Sequence, residues 1–162
     1  MVLRKVISGG QTGVDRAALD AALYLGFPCG GWIPANRRAE DGEIAPHYPM
    51  RLMPRGGYLE RNRRNVQDTS ATLVLIEEEL NGGTARTVDF ARELGRPCLV
   101  IALPHAFGQF GLTLVEICRW LEQHQIGTLN IAGPRESKHP GIYNRARMLL
   151  IRLLQYLHAH SA

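Results

Sequence analysis

Along the chain, short continuous apolar runs alternate with stretches in which apolar residues recur at helical spacing. Lys5-Val6-Ile7-Ser8 reads as a short strand that stops at Gly9-Gly10. From Gly13 to Leu25 the spacing is helical, with Val14, Ala18, Ala21, Ala22 and Leu25 on one face. Thr12 is placed as an N-cap and Asp15 imitates a capping box, while Gly26 and Pro28 close the helix. Cys29 to Ile33 predicts a second strand. From Pro34 to Gly57 the periodicity dissolves into prolines, glycines and charges, which predicts a long ordered loop. Loops longer than about 15 residues in compact domains are usually functional or mobile, so ligand contacts are expected here.

In the second half, Tyr58 to Gln67 reads as a polar helix carrying Arg61, Arg63 and Arg64. Ala71 to Ile76 is nearly all apolar, the signature of a central parallel strand covered on both faces. Asn81-Gly82-Gly83-Thr84 opens a helix that ends near Leu94, before Gly95 and Pro97. Cys98 to Leu103 predicts another apolar strand, and Leu114, Ile117, Cys118 and Leu121 mark a further helix. Leu129 to Ala132 forms a last strand ahead of Gly133-Pro134. Ala146, Leu149, Leu150, Leu153, Leu154 and Leu157 then define a long amphipathic helix. Strands alternating with helices predict an α/β fold with three layers, a mostly parallel central sheet and helices on both faces. Without an internal repeat or linker, the whole chain, 1–162, is expected to be one domain.

Composition narrows the class. With 45% hydrophobic and 21% charged residues the chain is globular rather than disordered. A net charge of +4 favours an anionic partner without choosing between nucleic acid and a phosphorylated metabolite. The cysteines, Cys29, Cys98 and Cys118, read as buried free thiols of a reducing compartment. Met1 to Lys5 runs straight into the first strand without a signal-peptide pattern, and no apolar run approaches the roughly 20 residues that span a bilayer. A cytoplasmic protein without membrane association is expected.

In a parallel sheet the strand-to-helix turns share one edge, where ligands collect. Two of these turns are glycine-rich: Ser8-Gly9-Gly10-Gln11-Thr12-Gly13 and Asn81-Gly82-Gly83-Thr84. Each is either a tight turn or a cradle whose backbone N–H groups and helix N-terminus receive an anion. The first lacks a Walker lysine and has Gly10-x-x-Gly13 where a dinucleotide fold has three glycines, so ATP hydrolysis and nicotinamide chemistry find little support. Asp15 reads as a helix cap or a ligand contact, and Arg16 lies near the expected anion. In the loop, Trp32, Arg37, Arg38, Glu40, Asp41 and Glu43 offer an acid/base pair, metal ligands, acceptors for sugar or pterin N–H groups, or merely solvated charges. Arg61, Arg63 and Arg64 read as a solvated helix face from which one guanidinium reaches the anion. There is no G-x-S-x-G elbow, no zinc-type Cys/His spacing and no nucleic-acid-binding module.

The stretch from Ser8 to Asp20, with Gly30-Gly31-Trp32, Ala39-Glu40-Asp41-Gly42, Asn65-Val66, Gly82-Gly83-Thr84 and Ala132-Gly133-Pro134-Arg135-Glu136-Ser137, resembles the molybdenum cofactor carrier proteins of the circularly permuted, LOG-like (SLOG) Rossmann group. The resemblance runs from about residue 5 to Tyr143. It implies a Rossmann-like fold, a homo-oligomer (dimer or tetramer), and a carrier role for molybdenum cofactor or molybdate, with a molybdoenzyme as recipient and no catalytic metal. The ligand contacts it implies are Gly9, Gly10, Gln11, Thr12, Gly13, Arg16, Gly82, Gly83, Thr84 and Thr87 at the turns. Trp32, Arg38, Glu40 and Asp41 would meet the rest of the ligand, and Pro134 and Glu136 would wall the pocket. The related LOG-like hydrolases supply an alternative, a nucleoside monophosphate N-glycosidase (phosphoribohydrolase) with Glu40 or Asp41 as acid/base. Their motif P-G-G-x-G-T-x-x-E puts a glutamate where this chain has Thr87, a departure that weakens the hydrolase reading.

Overall fold

The computed structural model of the protein describes residues 3–161, so Met1 and Val2 of the N-terminal stretch lie outside the described residues. The chain runs β1 (Lys5–Ile7), α1 (Val14–Tyr24), β2 (Cys29–Gly30), β3 (Trp32–Ile33), β4 (Arg38–Ala39), β5 (Gly42–Glu43), β6 (Arg51–Leu52) and α2 (Tyr58–Gln67). It continues through β7 (Ala71–Ile76), α3 (Gly82–Glu93), β8 (Cys98–Ala102), α4 (Phe110–Gln123), β9 (Thr128–Ala132) and α5 (Ile142–Ala159). Five strands form a parallel sheet in the order β2-β1-β9-β7-β8. The last strand of the chain therefore enters between β1 and β7, with Leu129 opposite both Val6 and Ala71.

The two faces of the sheet are covered unequally. Ala71, Leu73 and Leu75 of β7 join the main core with α1, α4 and α5. In α1, Ala17, Ala18, Ala21 and Ala22 are buried, and these small side chains let α5 settle closely with Ala146, Leu149, Leu150 and Leu153. On the other face α2 packs against α3 over a smaller cluster of Val66, Phe90 and Ala91. The sheet itself contributes a buried polar pair there, Asn130 donating to Thr72 at 3.3 Å. The fold is thus a three-layer, Rossmann-like α/β arrangement in which β7, an interior strand between β9 and the edge strand β8, is buried along its whole length.

Several elements depart from the sequence pattern. The expected strand from Cys29 to Ile33 is split at Gly31, whose φ of 139° breaks the run, so that β2 pairs with β1 while β3 pairs with β6. The long loop carries β6 and a small antiparallel hairpin of β4 and β5. Cys98 to Ala102 is apolar but lies at the sheet edge, leaving Val100 37% exposed. Only Cys29 is a buried thiol, while Cys98 and Cys118 are half-buried. Gly13, not Thr12, occupies the N-cap of α1, and no side chain caps that helix.

Leu73→Ala, on a fully buried interior strand, is expected to lower stability by about 2–5 kcal/mol, against about 1 kcal/mol or less for Val100→Ala at the edge. Denaturant unfolding of both variants checks this. Equal losses would mean that the two strands are buried alike.

Candidate functional site

Because β9 lies between β1 and β7, the turns that follow these three strands come together at the carboxyl edge of the sheet. The first and last of them touch through their backbones. Val14 N–H donates to the Pro134 carbonyl at 3.2 Å, and a Cβ at residue 13 would strike that same carbonyl oxygen. Gly13 also has φ 76°, so glycine is required there on two counts.

Beneath these turns lies a cavity of about 210 Å³. Gln11 and Asp15 come from the first turn and α1, Tyr58, Arg61 and Asn62 from α2, and Gly82, Gly83, Thr84 and Thr87 from α3. Pro134, Arg135 and Lys138 complete the wall after β9. Arg61 is only 4% exposed. It donates to the Gly9 carbonyl and stands 3.8 Å from the Asp15 carboxylate. Asp15 also accepts from Gln11 N–H at 3.4 Å. Burial pushes the Asp15 carboxyl up from 3.8 to about 6, outweighing Arg61 and the backbone N–H groups that favour its charge. Burial likewise lowers the pKa of Arg61, with Asp15 opposing. Lys138 reaches Asn81, the N-cap of α3, whose side chain makes no cap bond of its own. The first-turn N–H groups of a helix have no intrahelical acceptor, and here they belong to the cavity-lining Gly82, Gly83 and Thr84. Three cationic side chains and a helix N-terminus thus line one cavity with a buried carboxyl.

A second cavity of about 610 Å³ begins where the chain passes from Gln11 to Thr12 and from Arg135 to Glu136. It is rich in carboxylates, but their oxygens are engaged. Asp41 accepts from both amino nitrogens of Arg16, at 3.0 and 3.2 Å. Glu40 accepts from the Thr12 hydroxyl, from Ser137 N–H at 3.1 Å and from the Ser137 hydroxyl at 2.5 Å. Partial burial works against the Glu40 charge, yet the Ser137 and Thr12 bonds and Arg135 hold its carboxyl below the usual range. Glu136 accepts from Gly141 and Tyr143 N–H at 2.6 and 2.9 Å, closing the first turn of α5.

The expected contacts therefore divide. Gln11, Gly82, Gly83, Thr84, Thr87 and Pro134 line the first cavity, whereas Thr12, Gly13, Arg16, Glu40, Asp41 and Glu136 line the second. Gly9 and Gly10 lie behind both, their carbonyls taken by Arg61 and Arg16. Trp32 and Arg38 line neither. The Trp32 indole N–H donates to Asp68 at 2.8 Å, with the Arg64 guanidinium 4.4 Å from its ring centroid. Arg38 is exposed on the β4–β5 hairpin. Sequence reading overlooked Tyr58, Asn62 and Lys138; Arg135 falls within the stretch from Pro134 to Ser137 expected to wall the pocket, and Arg61 is the one arginine of its cluster that lines the cavity rather than a solvated face. The signal was present in α2, where Tyr58, Arg61, Asn62 and Asn65 recur at i, i+3, i+4 and i+7. Among the described residues no cluster of three or more His, Cys, Asp or Glu side chains is placed to hold a metal ion, and no helix is long and apolar enough to cross a membrane.

Fold and site define a Rossmann-like protein with a cationic cleft at the strand-order switch of its sheet. The chain belongs to the circularly permutated YpsA SLOG family, whose model matches residues 6–154. It is similar to a crystal structure from Syntrophus aciditrophicus SB named "putative molybdenum carrier protein", with 42% identity and a TM-score of 0.90 over 94% of this chain and 96% of that one. A likeness to (E)-4-hydroxy-3-methyl-but-2-enyl diphosphate reductase, at 10% identity and a TM-score of 0.29 over 93% of this chain and 72% of that one, is too slight to bear on function. None of the curated proteins matches the chain.

The raised pKa of Asp15 has a consequence for stability. Between 3.8 and about 6 the folded protein holds a proton on Asp15 that the unfolded chain has released. The stabilisation from that proton is present at low pH and is lost as the pH rises through this window. By neutral pH the loss is on the order of 3 kcal/mol. Asp15→Asn removes the titration. Unfolding free energies of the two proteins should therefore converge or cross between about pH 4 and pH 7, the wild type being favoured at the acid end. A difference independent of pH would place Asp15 in a polar, solvated setting instead.

Proposed function

We propose that this protein binds and carries an oxyanionic ligand, molybdenum cofactor or molybdate, in the cavity at Arg61. The observation that carries the reading is the buried Arg61 guanidinium facing the uncapped N-terminus of α3, with Lys138 and Arg135 beside it. An anion there would meet backbone N–H groups, a helix dipole and fixed cations together. Asp15 fits the arrangement because a carboxyl that takes up a proton near pH 6 can yield its negative charge when an anion arrives. The family membership and the name of the similar Syntrophus protein supply the link to molybdenum. In this reading the cargo passes to a molybdoenzyme, and the carrier works as a homo-oligomer.

The phosphoribohydrolase alternative draws less from the geometry. Glu40 and Asp41 are tied up in bonds to Thr12, Ser137 and Arg16, and neither lines the cavity at Arg61. Thr87, at the position of the hydrolase glutamate, instead donates to the Gly83 carbonyl at 3.1 Å within α3.

Equilibrium binding of molybdenum cofactor, molybdate and a panel of nucleoside monophosphates, with product analysis on the same samples, tests the reading. Cofactor or molybdate should bind without turnover. Gly83→Asp and Lys138→Ala should each weaken binding at least tenfold, about 1.4 kcal/mol. The space beside Gly83 admits a side chain, since a Cβ there finds only the Asn62 amide at 3.8 Å. Unchanged affinity in both variants would refute the site, and release of free base would replace the carrier by a hydrolase.

A further inference from the structure

Among the described residues that line the cavity at Arg61, Asp15 is the one carboxyl, an odd group in a site that only attracts anions. Arg61 faces it from α2 at 3.8 Å, Arg16 acts on it from its own helix, and Arg135 and Lys138 line the same cavity. From α3 only the uncharged Gly82, Gly83, Thr84 and Thr87 reach the lining. The charge of Asp15 has few hydrogen bonds to hold it. Its donors are the backbone N–H groups of Gln11, at 3.4 Å, and Gly133, and the guanidinium nitrogen nearest to it donates to the Gly9 carbonyl instead. An oxyanion at Arg61 brings a second negative charge into a cavity of about 210 Å³ that already holds this buried one. Two such groups crowded together do not both stay ionised, and a proton comes to be shared between them. Burial has already raised the Asp15 carboxyl from 3.8 to about 6, so a small further push keeps it protonated at neutral pH.

We infer that Asp15 is the specificity-determining residue of this cavity, and that an oxyanion binds there together with one proton, held in a hydrogen bond between the Asp15 carboxyl and a ligand oxygen. This rests on the oxyanion reading of the same cavity and adds a rule for which oxyanions enter it. A fully ionised oxyanion such as molybdate draws the proton from solution onto Asp15, whose O–H then donates to the ligand. Hydrogen phosphate brings the proton itself and donates it to the carboxylate. Loading of an ion without a proton is therefore favoured on the acid side and its discharge on the alkaline side, with one proton taken up or released per ion.

Titration calorimetry on the full chain with molybdate and with inorganic phosphate, from about pH 6.5 to about pH 8.5 and in buffers of different ionisation enthalpy, tests the shared proton. Molybdate affinity of the wild type should fall close to tenfold per pH unit, and the buffer dependence of the heat should report about one proton taken up per ion near pH 8. Phosphate, which supplies its own proton, should take up far less at the same pH. Asp15→Asn keeps the shape and offers a permanent N–H donor. It should bind molybdate with an affinity independent of pH, at least tenfold tighter than the wild type at about pH 8. Thermal unfolding confirms that the variant is folded, and the buffer-dependent heats of the wild type decide the matter without it. Three results would overturn the inference while sparing the anion site: a molybdate affinity that is flat with pH in the wild type, a slope that persists unchanged in Asp15→Asn, or equal proton uptake for the two ions. Failure of both ions to bind would overturn the anion site and the inference with it.

Discussion

Arg61 reaches from α2 to the carbonyl of Gly9, and both residues are buried. A guanidinium in such a place is costly unless charge and hydrogen-bond partners are supplied. Here the Gly9 carbonyl, the Asp15 carboxylate and the Tyr58 ring supply them. The contact is possible because residue 9 has no side chain, since a Cβ would occupy the position of the guanidinium. It joins α2 to the first strand–helix turn, and the same helix brings Asn62 beside Gly83 at the N-terminus of α3. One wall of the cavity and part of the cationic field at the sheet edge follow from this buried cation, which also opposes the burial that pushes the Asp15 carboxyl up.

The long loop between β3 and α2 is held by a different set of charges. Asp41 grips Arg16 of α1, while Glu40 bridges Thr12 and Ser137, which belong to the turns after β1 and β9. Further along, the Tyr48 hydroxyl donates to Asp20 at 2.6 Å, and Tyr143 of α5 donates to the same carboxylate. Burial and the Asp20 bond raise the pKa of both phenols, that of Tyr143 to about 12. The carboxylates that look most like acid/base chemistry in the sequence thus serve to fasten the loop. That loop is fixed by polar partners on α1, α5 and two turns together with the side chains it buries in the main core, Ala39, Ile44 and Tyr48.

Much of the architecture was legible because it follows from local rules. The unbroken apolar run of Ala71 to Ile76 marked a strand covered on both faces, though it lies beside the sheet edge and β9 takes the centre, and the helical stripe from Ala146 to Leu154 marked the helix that packs on α1. Both glycine-rich turns were recognisable, as was the resemblance to the SLOG group. The errors arose where partners lie far away in sequence. A single glycine, Gly31, divides an apolar run between two sheets. Thr12 looks like a cap but bonds to Glu40 and to Glu136 N–H instead. Trp32 looks like a ligand contact but is held by Asp68 and Arg64.

By itself the sequence determined the order of the main strands and helices, the α/β class, the family resemblance and the presence of two glycine-rich turns, because periodicity and turn chemistry act over a few residues. Which of the charged residues share a cavity was decided only by tertiary structure. Inserting β9 between β1 and β7 brings together residues 11, 83 and 138, and the burial of Arg61 turns an arginine-rich helix into one wall of that cavity. Neither is readable locally, since the cost of burying a charge is settled by groups that the chain delivers from more than fifty residues away.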